Sequence, residues 1–202
     1  MGITHLFFDV GGVLGSGGWG SAQRAAAVAH FGLDGAELDR RHAVVTAAWE
    51  EGRMSLDEYL DHAVFHAPRP FTRERFVAFM LDQSTPCPES IDLARRLAAP
   101  RRWRLMTLNN ESDTLNRHRI RAFELGPIFD AFLSSCWLGA TKPSRRIYDR
   151  ALALTQARPE RCVFIDDRPE NLEPAAALGM RTIRFTTAAD LAGRLAALGV
   201  SP

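Results

Sequence analysis

The sequence predicts an α/β protein in which a parallel sheet carries helices on both faces. Five apolar, strand-like runs occur along the 202 residues, at 4–10, 104–108, 131–135, 162–165 and 182–185. From the second run onward, a segment with helical spacing separates each run from the next, which is typical of parallel strands joined by helices. Between the first run and about residue 85 the chain shows helix-like stretches and no convincing strand. The expected fold is therefore a Rossmann-like three-layer parallel sheet core with an inserted α-helical cap.

Amphipathic spacing predicts three helices of the core. They cover residues 90–99, 147–154 and 190–198, and in each of them apolar residues recur at helical intervals. The apolar stripe of such a helix is expected to pack on the sheet.

Four further helices are predicted in the insertion, at 23–31, 35–51, 55–67 and 72–81. Ser55 stands three residues before Glu58, which is the spacing of a capping box. We therefore assign residues 1–15 and 86–202 to an α/β core domain and residues 16–85 to a helical cap domain. A block inserted after the first strand would lie over the carboxyl edge of the sheet, where it could act as a lid.

Composition argues against several classes of function. The formal net charge of +1 gives no electrostatic reason to expect nucleic-acid binding. The three cysteines, Cys87, Cys136 and Cys162, are too few and too scattered for a disulfide framework or a zinc site. No window approaches the roughly 18 apolar residues of a membrane span, so no membrane association is expected. We expect a cytoplasmic protein, and the oligomeric state stays open.

Three acidic residues follow predicted strands. Asp9 ends the first apolar run, and Asp166 and Asp167 follow the fourth. Because ligands bind at the carboxyl ends of the strands in parallel α/β sheets, these carboxylates are candidates for one shared site. The chain also contains a single lysine, Lys142, against 24 arginines. A lysine in so arginine-rich a sequence indicates a position that needs a compact point charge rather than a planar guanidinium.

Taken in order, these motifs resemble those of the haloacid dehalogenase superfamily. The residues that carry the resemblance are Asp9-Val10-Gly11-Gly12, Lys142-Pro143, and Asp166-Asp167 with Asn171. The resemblance covers essentially the whole chain. Within the superfamily it is to cap-bearing hydrolases that include sugar-1-phosphate phosphatases and the N-terminal phosphatase domain of soluble epoxide hydrolase. It implies a Mg²⁺-dependent phosphohydrolase that acts on a small phosphorylated metabolite through an aspartyl-phosphate intermediate.

The resemblance implies a role for each motif residue. Asp9 would be the nucleophile, Lys142 would hold the phosphoryl oxygens, and Asp166 would orient Lys142. The Mg²⁺ ligands would be Asp9, the carbonyl of Gly11 and Asp167, an oxygen donor set that suits this ion.

Phosphate binding is implied at the end of the second strand. Family members fill this position with Ser or Thr followed by Asn, and we align Asn109 with the hydroxyl position and Asn110 with the next. A side-chain amide donates hydrogen bonds to phosphate as a hydroxyl does. Thr107 is the alternative at this position, and Lys142 would contact the same phosphate.

Gly11 departs from the family pattern. In most phosphatases of the superfamily this position holds a second Asp, which protonates the leaving oxygen and later activates water, and glycine can do neither. General acid–base catalysis is typically worth about 10²–10⁴ in rate. Either the substrate has a weakly basic leaving group, or the cap supplies the acid. The candidates in the cap, by location, are His42, Glu50, Glu51, Tyr59 and His62.

Two other functions stay open. In a haloacid dehalogenase, Asp9 would attack carbon and displace halide, which needs neither a metal nor an acid at position 11. Against this, the family dehalogenases have Ser-Asn where this chain has Asp166 and Asp167. A catalytically weak relative that binds a metabolite or a partner protein is the third possibility, because Gly11 and Asn109 both differ from the family pattern.

Other side chains are expected to be structural or solvated. Trp49, at helical spacing, is expected in the core of the cap, and Arg53 is expected in solvent. Arg117, His118 and Arg119 are expected on an exposed face of a helix.

Overall fold

The computed structural model describes residues 2–202, and a five-stranded sheet lies at its centre. The strands are β1 (His5–Phe8), β2 (Arg104–Asn109), β3 (Ala131–Ser134), β4 (Cys162–Asp166) and β5 (Arg181–Arg184). Neighbouring strands all pair in parallel, in the order β3-β2-β1-β4-β5. The predicted parallel sheet is confirmed, and every strand begins and ends within two residues of its expected bounds.

Ten α-helices lie within residues 2–202. They are α1 (Ser21–Phe31), α2 (Gly35–Glu50), α3 (Leu56–Ala63), α4 (Arg73–Asp82), α5 (Pro88–Ala98), α6 (Asp113–Ala122), α7 (Ser135–Leu138), α8 (Arg145–Thr155), α9 (Pro169–Ala177) and α10 (Ala188–Ala197). None of these helices combines the length and the apolarity needed to cross a lipid bilayer.

The two faces of the sheet carry separate apolar clusters. Leu6 and Phe8 of β1 pack with side chains of α5 and α10, whereas Phe7 packs with side chains of α8 and α9. Successive side chains of a strand point to opposite faces, which explains why the uninterrupted apolar run of β1 is buried on both sides. Burial of one Leu or Phe side chain contributes about 1.5–3 kcal/mol. The three-layer arrangement therefore anchors β1, and the loop that follows it, from both faces.

The insertion folds as α1 to α4 around an apolar cluster of its own. Trp49 and Tyr59 lie in this cluster with ring centroids 4.0 Å apart, and Trp49 is buried as predicted. Leu115 of α6 is the one buried residue outside the insertion that joins the cluster within residues 2–202. Because this core is largely separate from the two clusters on the sheet, we propose that residues 16–85 form a cap domain.

The helix start predicted at Ser55 is observed. The Ser55 hydroxyl accepts a hydrogen bond from Glu58 N, and the Glu58 carboxylate accepts one from Ser55 N at 2.8 Å. The capping box satisfies two backbone donors that the first turn of α3 would otherwise leave unpaired. Helix α3 ends at Ala63 rather than at residue 67, before the segment in which Pro68 disfavours helical backbone.

The two linkers between cap and core run side by side. Ser16 N donates to the Thr85 carbonyl at 2.8 Å, and Thr85 N donates to Ser16 Oγ at 3.0 Å. Arg119 of α6 donates to the Gly17 carbonyl at 2.7 Å and to Ser84 Oγ at 3.2 Å, so one guanidinium ties both linkers to the core. The expected exposed position of Arg119 is therefore wrong: its side chain is 3% exposed, because it bridges segments that are far apart in the sequence.

Candidate active site

Three aspartates meet at the carboxyl edge of the sheet. Phe8 of β1 pairs with Ile165 of β4, so Asp9 and Asp166 follow at the same level of neighbouring strands. Asp167 comes next in the chain, and one carboxylate oxygen of each Asp lies within 4.8 Å of the others. Asp9 and Asp166 are 6% and 0% exposed. Carboxylates this close repel one another unless cations neutralise them.

Lys142 lies between two of these carboxylates. Its Nζ is 2.9 Å from Asp9 Oδ1 and 2.6 Å from Asp166 Oδ2, and its side chain is buried. Burial by itself would lower the pKa of the lysine, but the two carboxylates outweigh burial and raise the pKa of Lys142, so the amine stays protonated. The Phe164 ring centroid lies 5.4 Å from the ammonium. One ammonium against three carboxylates leaves a net negative charge when all three are ionised.

Asp166 is fully used by hydrogen bonds within the protein. Its Oδ1 accepts from Arg168 N at 2.9 Å and from Asn171 Nδ2 at 3.1 Å. Its Oδ2 accepts from Asn171 Nδ2 at 3.1 Å and from Lys142 Nζ. A carboxylate has about four lone-pair sites, and these contacts use all of them. Asp166 is thereby placed to orient Lys142 rather than to bind a cation.

Asp9 and Asp167 keep oxygens that the protein does not use. Asp9 Oδ1 accepts from Val10 N at 2.8 Å and contacts Lys142, whereas Oδ2 has no hydrogen bond within residues 2–202. Asp167 Oδ1 is buried without a partner in the same part of the chain. Burial, and then the charge of Asp166, raises the pKa of Asp167. Burial also raises the pKa of Asp9, although Lys142 opposes this shift. A bound cation would relieve the cost of the buried, unpaired Asp167 oxygen.

Gly12 makes room for the Asp167 carboxylate. A Cβ at this position would lie 2.5 Å from Asp167 Oδ2 and 2.6 Å from its Cγ, and the backbone φ is +82°. Glycine alone adopts such a backbone and allows such an approach without strain. The loop after β1 therefore packs directly on Asp167. Two available carboxylate oxygens beside a backbone loop are a donor set that fits Mg²⁺, and the carbonyl of Gly11, in the same loop, stays a prediction as third ligand.

Asn110 holds the backbone of the lysine. Its Oδ1 accepts from Lys142 N at 2.7 Å, and its Nδ2 donates to the Lys142 carbonyl at 2.9 Å. Asn109 is 2% exposed, with its Oδ1 bonded to Ser134 Oγ at 2.9 Å and its Nδ2 to Asn116 Oδ1 at 3.2 Å. Asn110 therefore positions Lys142, and phosphate binding by either asparagine stays a prediction.

Thr107 lies inside β2, below the carboxyl edge. It pairs with Phe8, one residue before Asp9. Its side chain is fully buried, and Oγ1 has no hydrogen-bond partner within residues 2–202. Because a fully buried hydroxyl cannot meet a substrate in the cleft, Thr107 is not a phosphate contact in this structure.

Gly11 lies against the cap linker and a buried ion pair. A Cβ at Gly11 would lie 3.5 Å from Gly18 N and 3.7 Å from Arg119 Nη1. Arg119 Nη1 is in turn 3.7 Å from Oε2 of Glu111, whose pKa is raised by burial against the opposing charge of Arg119. A carboxyl at position 11 would face this guanidinium, which favours the ionised form over a proton donor. No sequence motif marks Glu111 or Arg119, because their pairing depends on the fold rather than on spacing along the chain.

Three of the five acid candidates of the cap are engaged with neighbours in the cap. Tyr59 Oη accepts from Trp19 Nε1 at 2.8 Å and bonds to His42 Nδ1 at 2.9 Å. Burial raises the pKa of Tyr59, and burial with the nearby basic charge lowers the pKa of His42 to about 4. Glu51 pairs with Arg53 at 2.9 Å, and Arg53 is exposed as expected. At neutral pH Tyr59 and His42 are poorly suited to donate a proton to a substrate, and the Glu51 carboxylate is engaged by Arg53.

The other two candidates are His62 and Glu50. His62 lies in α3, and its Nε2 is buried without a hydrogen-bond partner within residues 2–202. Glu50 is the last residue of α2, and its carbonyl accepts a hydrogen bond from Ser135 Oγ of the core at 2.6 Å. The charges of Arg168 and Lys142 act on the Glu50 carboxyl. Glu50 is therefore the candidate that the structure places at the boundary between cap and core.

A comparison of the sequence with known protein families identifies the family of this chain. Residues 3–179 match the haloacid dehalogenase-like hydrolases, and the chain belongs to that family. The resemblance drawn from the motifs is thereby confirmed.

Known proteins share the fold or part of the sequence. A haloacid dehalogenase family enzyme of Bacteroides thetaiotaomicron, solved with magnesium and inorganic phosphate, has a TM-score of 0.79 at 19% identity, over 92% of this chain and 95% of that one. The L-2-haloacid dehalogenase of Xanthobacter autotrophicus, solved with chloropropionic acid covalently bound, has a TM-score of 0.63 at 16% identity, over 99% and 85%. At these identities the likeness shows the fold alone. The bifunctional epoxide hydrolase 2 of Mus musculus is 43% identical over 60 residues, which are 30% of this chain and only 11% of that protein.

Proposed function

We propose that this protein is a Mg²⁺-dependent phosphohydrolase that acts on a small phosphorylated metabolite through an aspartyl-phosphate intermediate. The observation that carries the proposal is a cluster of carboxylates beside the buried ammonium of Lys142 in which Asp9 Oδ2 and Asp167 Oδ1 have no hydrogen bond within residues 2–202. A phosphate monoester is anionic and repels a carboxylate nucleophile, so positive charge must screen the two. When bound, Mg²⁺ would offset the charge of the phosphoryl oxygens and of the carboxylates that hold it.

Asp9 is the proposed nucleophile. Val10 N and Lys142 hold its Oδ1, and we assign the attack on phosphorus to this oxygen and the cation to Oδ2. As the bond from Oδ1 to phosphorus forms, the bond from phosphorus to the leaving oxygen breaks. Water then attacks the same phosphorus, which releases inorganic phosphate and restores the Asp9 carboxylate.

Lys142 and its partners supply the fixed charge of the proposed reaction. The raised pKa of Lys142 keeps the ammonium protonated beside the phosphoryl group. Asp166 and Asn110 hold its side chain and its backbone, respectively, so the charge is in place before substrate arrives. Electrostatic groups positioned in advance stabilise the transition state without reorganisation.

The comparisons are compatible with a phosphatase and with a dehalogenase, and Asp167 favours the phosphatase. The Bacteroides enzyme of the same fold was solved with magnesium and phosphate, and the Xanthobacter enzyme of the same fold is a dehalogenase. Gly11 is compatible with dehalogenation, since that chemistry needs no acid at this position. Asp167 argues against it, because displacement of halide gives no use to a buried carboxylate oxygen that has no partner among the described residues 2–202.

Phosphate release from p-nitrophenyl phosphate tests the proposal. This ester has a good leaving group, so the absence of an acid at Gly11 does not prevent its hydrolysis. We expect release that requires both Mg²⁺ and Asp9, with Asp9→Asn at background. Asp149→Asn is the matched control, because Asp149 is a half-exposed carboxylate on α8, and it should keep wild-type activity.

Halide release from 2-chloropropionate, measured on the same preparations, tests the alternative. Phosphate release that persists in Asp9→Asn, or that does not respond to removal of Mg²⁺ by EDTA, would refute the proposed phosphatase. Halide release that is lost in Asp9→Asn would instead establish a dehalogenase.

A further inference from the structure

The proposed phosphatase reaction needs a proton donor that Gly11 cannot supply, and we propose that Glu50 of the cap is that general acid and, in the second step, the general base. The inference rests on the proposed function and identifies a catalytic residue of the same site. It follows from where the end of α2 is held, from the lack of a hydrogen-bond partner for the Glu50 carboxyl within residues 2–202, and from the engagement of Tyr59, His42 and Glu51 with neighbours in the cap.

The end of α2 is fixed to the carboxyl edge of the sheet through Ser135. This residue directly follows β3, and its hydroxyl donates to the Glu50 carbonyl at 2.6 Å and accepts from Glu111 N at 2.9 Å. Glu111 stands two residues after Asn109, the end of β2. One hydroxyl therefore joins the last residue of α2 to the loops after two strands of the active-site edge.

A close backbone contact supports this placement. Gly52 has a φ of +71°, and a Cβ at this position would collide with the carbonyl of Cys136 in α7. The turn after α2 thus lies directly on the core, without a side chain between them. Because the Glu50 carbonyl itself makes the first contact and Gly52, two residues later, makes the second, the end of α2 is an anchored element rather than a free loop.

The Glu50 side chain is available for chemistry. It is partly buried, and its carboxyl makes no hydrogen bond to the protein within residues 2–202. The neighbouring Glu51, by contrast, is paired with Arg53. Tyr59 and His42 are bonded to each other inside the cap.

The surroundings of Glu50 favour a carboxyl that carries a proton near neutral pH. Burial, and then the charge of Glu111, raises the pKa of Glu50 to about 7, while Arg168, Lys142 and Arg24 oppose the shift. A carboxyl tuned in this way is matched to proton transfer at neutral pH. Of these three cations, Lys142 is the one proposed to hold the substrate phosphate, and together they limit the shift of the Glu50 pKa rather than cancel it.

The protons balance over the two steps. In the first step Asp9 Oδ1 bonds to phosphorus, the electron pair of the broken P–O bond goes to the leaving oxygen, and that oxygen takes the Glu50 proton to leave as an alcohol. In the second step a water oxygen attacks the phosphorus and gives one proton to the Glu50 carboxylate. The bond between phosphorus and Asp9 then breaks, and both carboxyl groups return to their starting forms.

A leaving-group comparison tests the assignment. We expect Glu50→Gln to lower kcat/KM for phenyl phosphate, whose leaving group is strongly basic, by about 10²–10⁴ and for p-nitrophenyl phosphate by less than about tenfold. The ratio kcat/KM is the relevant quantity because it reports transition-state stabilisation up to departure of the leaving group. In wild type, kcat/KM for phenyl phosphate should fall as the pH rises through about 7, since the protonated form of Glu50 is lost, and Glu50→Gln should lack this limb of the profile.

Two further variants complete the test. Glu51→Gln changes the adjacent carboxyl, which is paired with Arg53, and should leave kcat/KM for both esters unchanged. Glu50→Ala should lose activity towards phenyl phosphate but not towards p-nitrophenyl phosphate. Addition of a small carboxylic acid such as acetic acid should restore part of its turnover of phenyl phosphate. Rescue of this kind would not occur if the side chain were only structural.

The outcomes separate the two proposals. Equal loss with both esters, or no loss with either, in a Glu50→Gln protein that unfolds at the wild-type temperature, would overturn the role of Glu50 and leave the phosphatase intact. No Mg²⁺-dependent hydrolysis of p-nitrophenyl phosphate by wild type would overturn the proposed function, and the role of Glu50 with it.

Discussion

Asp167→Asn should stabilise the metal-free protein and abolish its response to Mg²⁺. In the structure Asp167 Oδ1 is buried without a hydrogen bond within residues 2–202, and the carboxylate faces the negative charge of Asp166. The amide keeps the shape of the side chain against Gly12 but removes its charge. A residue kept for binding a cation is therefore expected to cost stability while the cation is absent.

The expected size follows from these contacts. An unsatisfied buried polar atom costs about 1–3 kcal/mol. The amide oxygen stays unpaired, so the variant regains only the part of this cost that comes from the charge of the carboxylate. We therefore expect Asp167→Asn to raise the free energy of unfolding by about 1 kcal/mol in EDTA. At Mg²⁺ one hundredfold above its Kd, wild type should gain about 2.7 kcal/mol and the variant nothing. The order of stability should thus reverse between the two conditions.

The gain in EDTA should also depend on pH. The pKa of Asp167 is raised in the folded state, so the stability that its proton contributes is present below the unfolded pKa of about 4 and is lost as the pH rises. Asp167→Asn has no carboxyl at this position, so the variant does not lose this stability as the pH rises. The difference between Asp167→Asn and wild type should therefore be small at acidic pH and largest at pH values above the folded pKa.

Urea-induced unfolding, followed by tryptophan fluorescence with EDTA or with MgCl₂, measures these differences, and calorimetry measures Mg²⁺ binding directly. Asp166→Asn is the matched comparison, because it makes the same change one residue away. Asp166 accepts bonds from Lys142, Asn171 and Arg168 N, so losing its charge should destabilise the protein by about 3–5 kcal/mol. Destabilisation of the metal-free protein by Asp167→Asn, as by Asp166→Asn, or a wild-type affinity of Asp167→Asn for Mg²⁺, would contradict this prediction.

Two further changes test the same site from other directions. Lys142→Met leaves its two carboxylate partners buried without a cation, which should cost about 3–5 kcal/mol near neutral pH. Loss of the ammonium raises the folded pKa of Asp9 further above the unfolded one, so the loss of stability should shrink as the pH falls towards about 4, as urea unfolding across this range would show; a loss that is the same at every pH would contradict this. Gly12→Ala should displace Asp167 and lower the affinity for Mg²⁺ in calorimetry, since the new Cβ would lie 2.5 Å from Asp167 Oδ2. Gly32→Ala is its control, because Gly32 also has a positive φ, of 64°, but has nothing within 4 Å of a new Cβ; equal effects of the two changes on Mg²⁺ binding would show that backbone strain alone is responsible.

Local signals in the sequence predicted the elements that local physics controls. The run Leu6-Phe7-Phe8 predicted a strand buried on both faces, and the two apolar clusters of the sheet confirm it. The Ser55 and Glu58 pair predicted a helix start, because a capping box is formed within four consecutive residues. Such patterns are readable because both partners lie within a few positions of each other.

Contacts between distant segments gave some residues functions that the motifs did not show. Asn110 was aligned with phosphate binding, yet its side chain holds the backbone of Lys142, 32 residues away. Arg119 was expected in solvent because it stands among polar residues of a helix, yet it is buried against Gly17, which is 102 residues distant. Neither partner is predictable from spacing along the chain, since the fold alone brings them together.

By itself, the sequence determined the parallel sheet, the helical insertion, and the aspartates and lysine that meet at the carboxyl edge, because apolar periodicity and strand ends are properties of short segments. The tertiary structure was needed to show which of those carboxylates are occupied by hydrogen bonds and which have oxygens available for a ligand. Asp166 is saturated by donors from Lys142 and from the start of α9, whereas Asp9 and Asp167 each keep an oxygen without a hydrogen bond within residues 2–202. It also singled out Glu50 among the acids of the cap, because hydrogen bonding, burial and net charge at a site depend on the groups that folding places around each side chain.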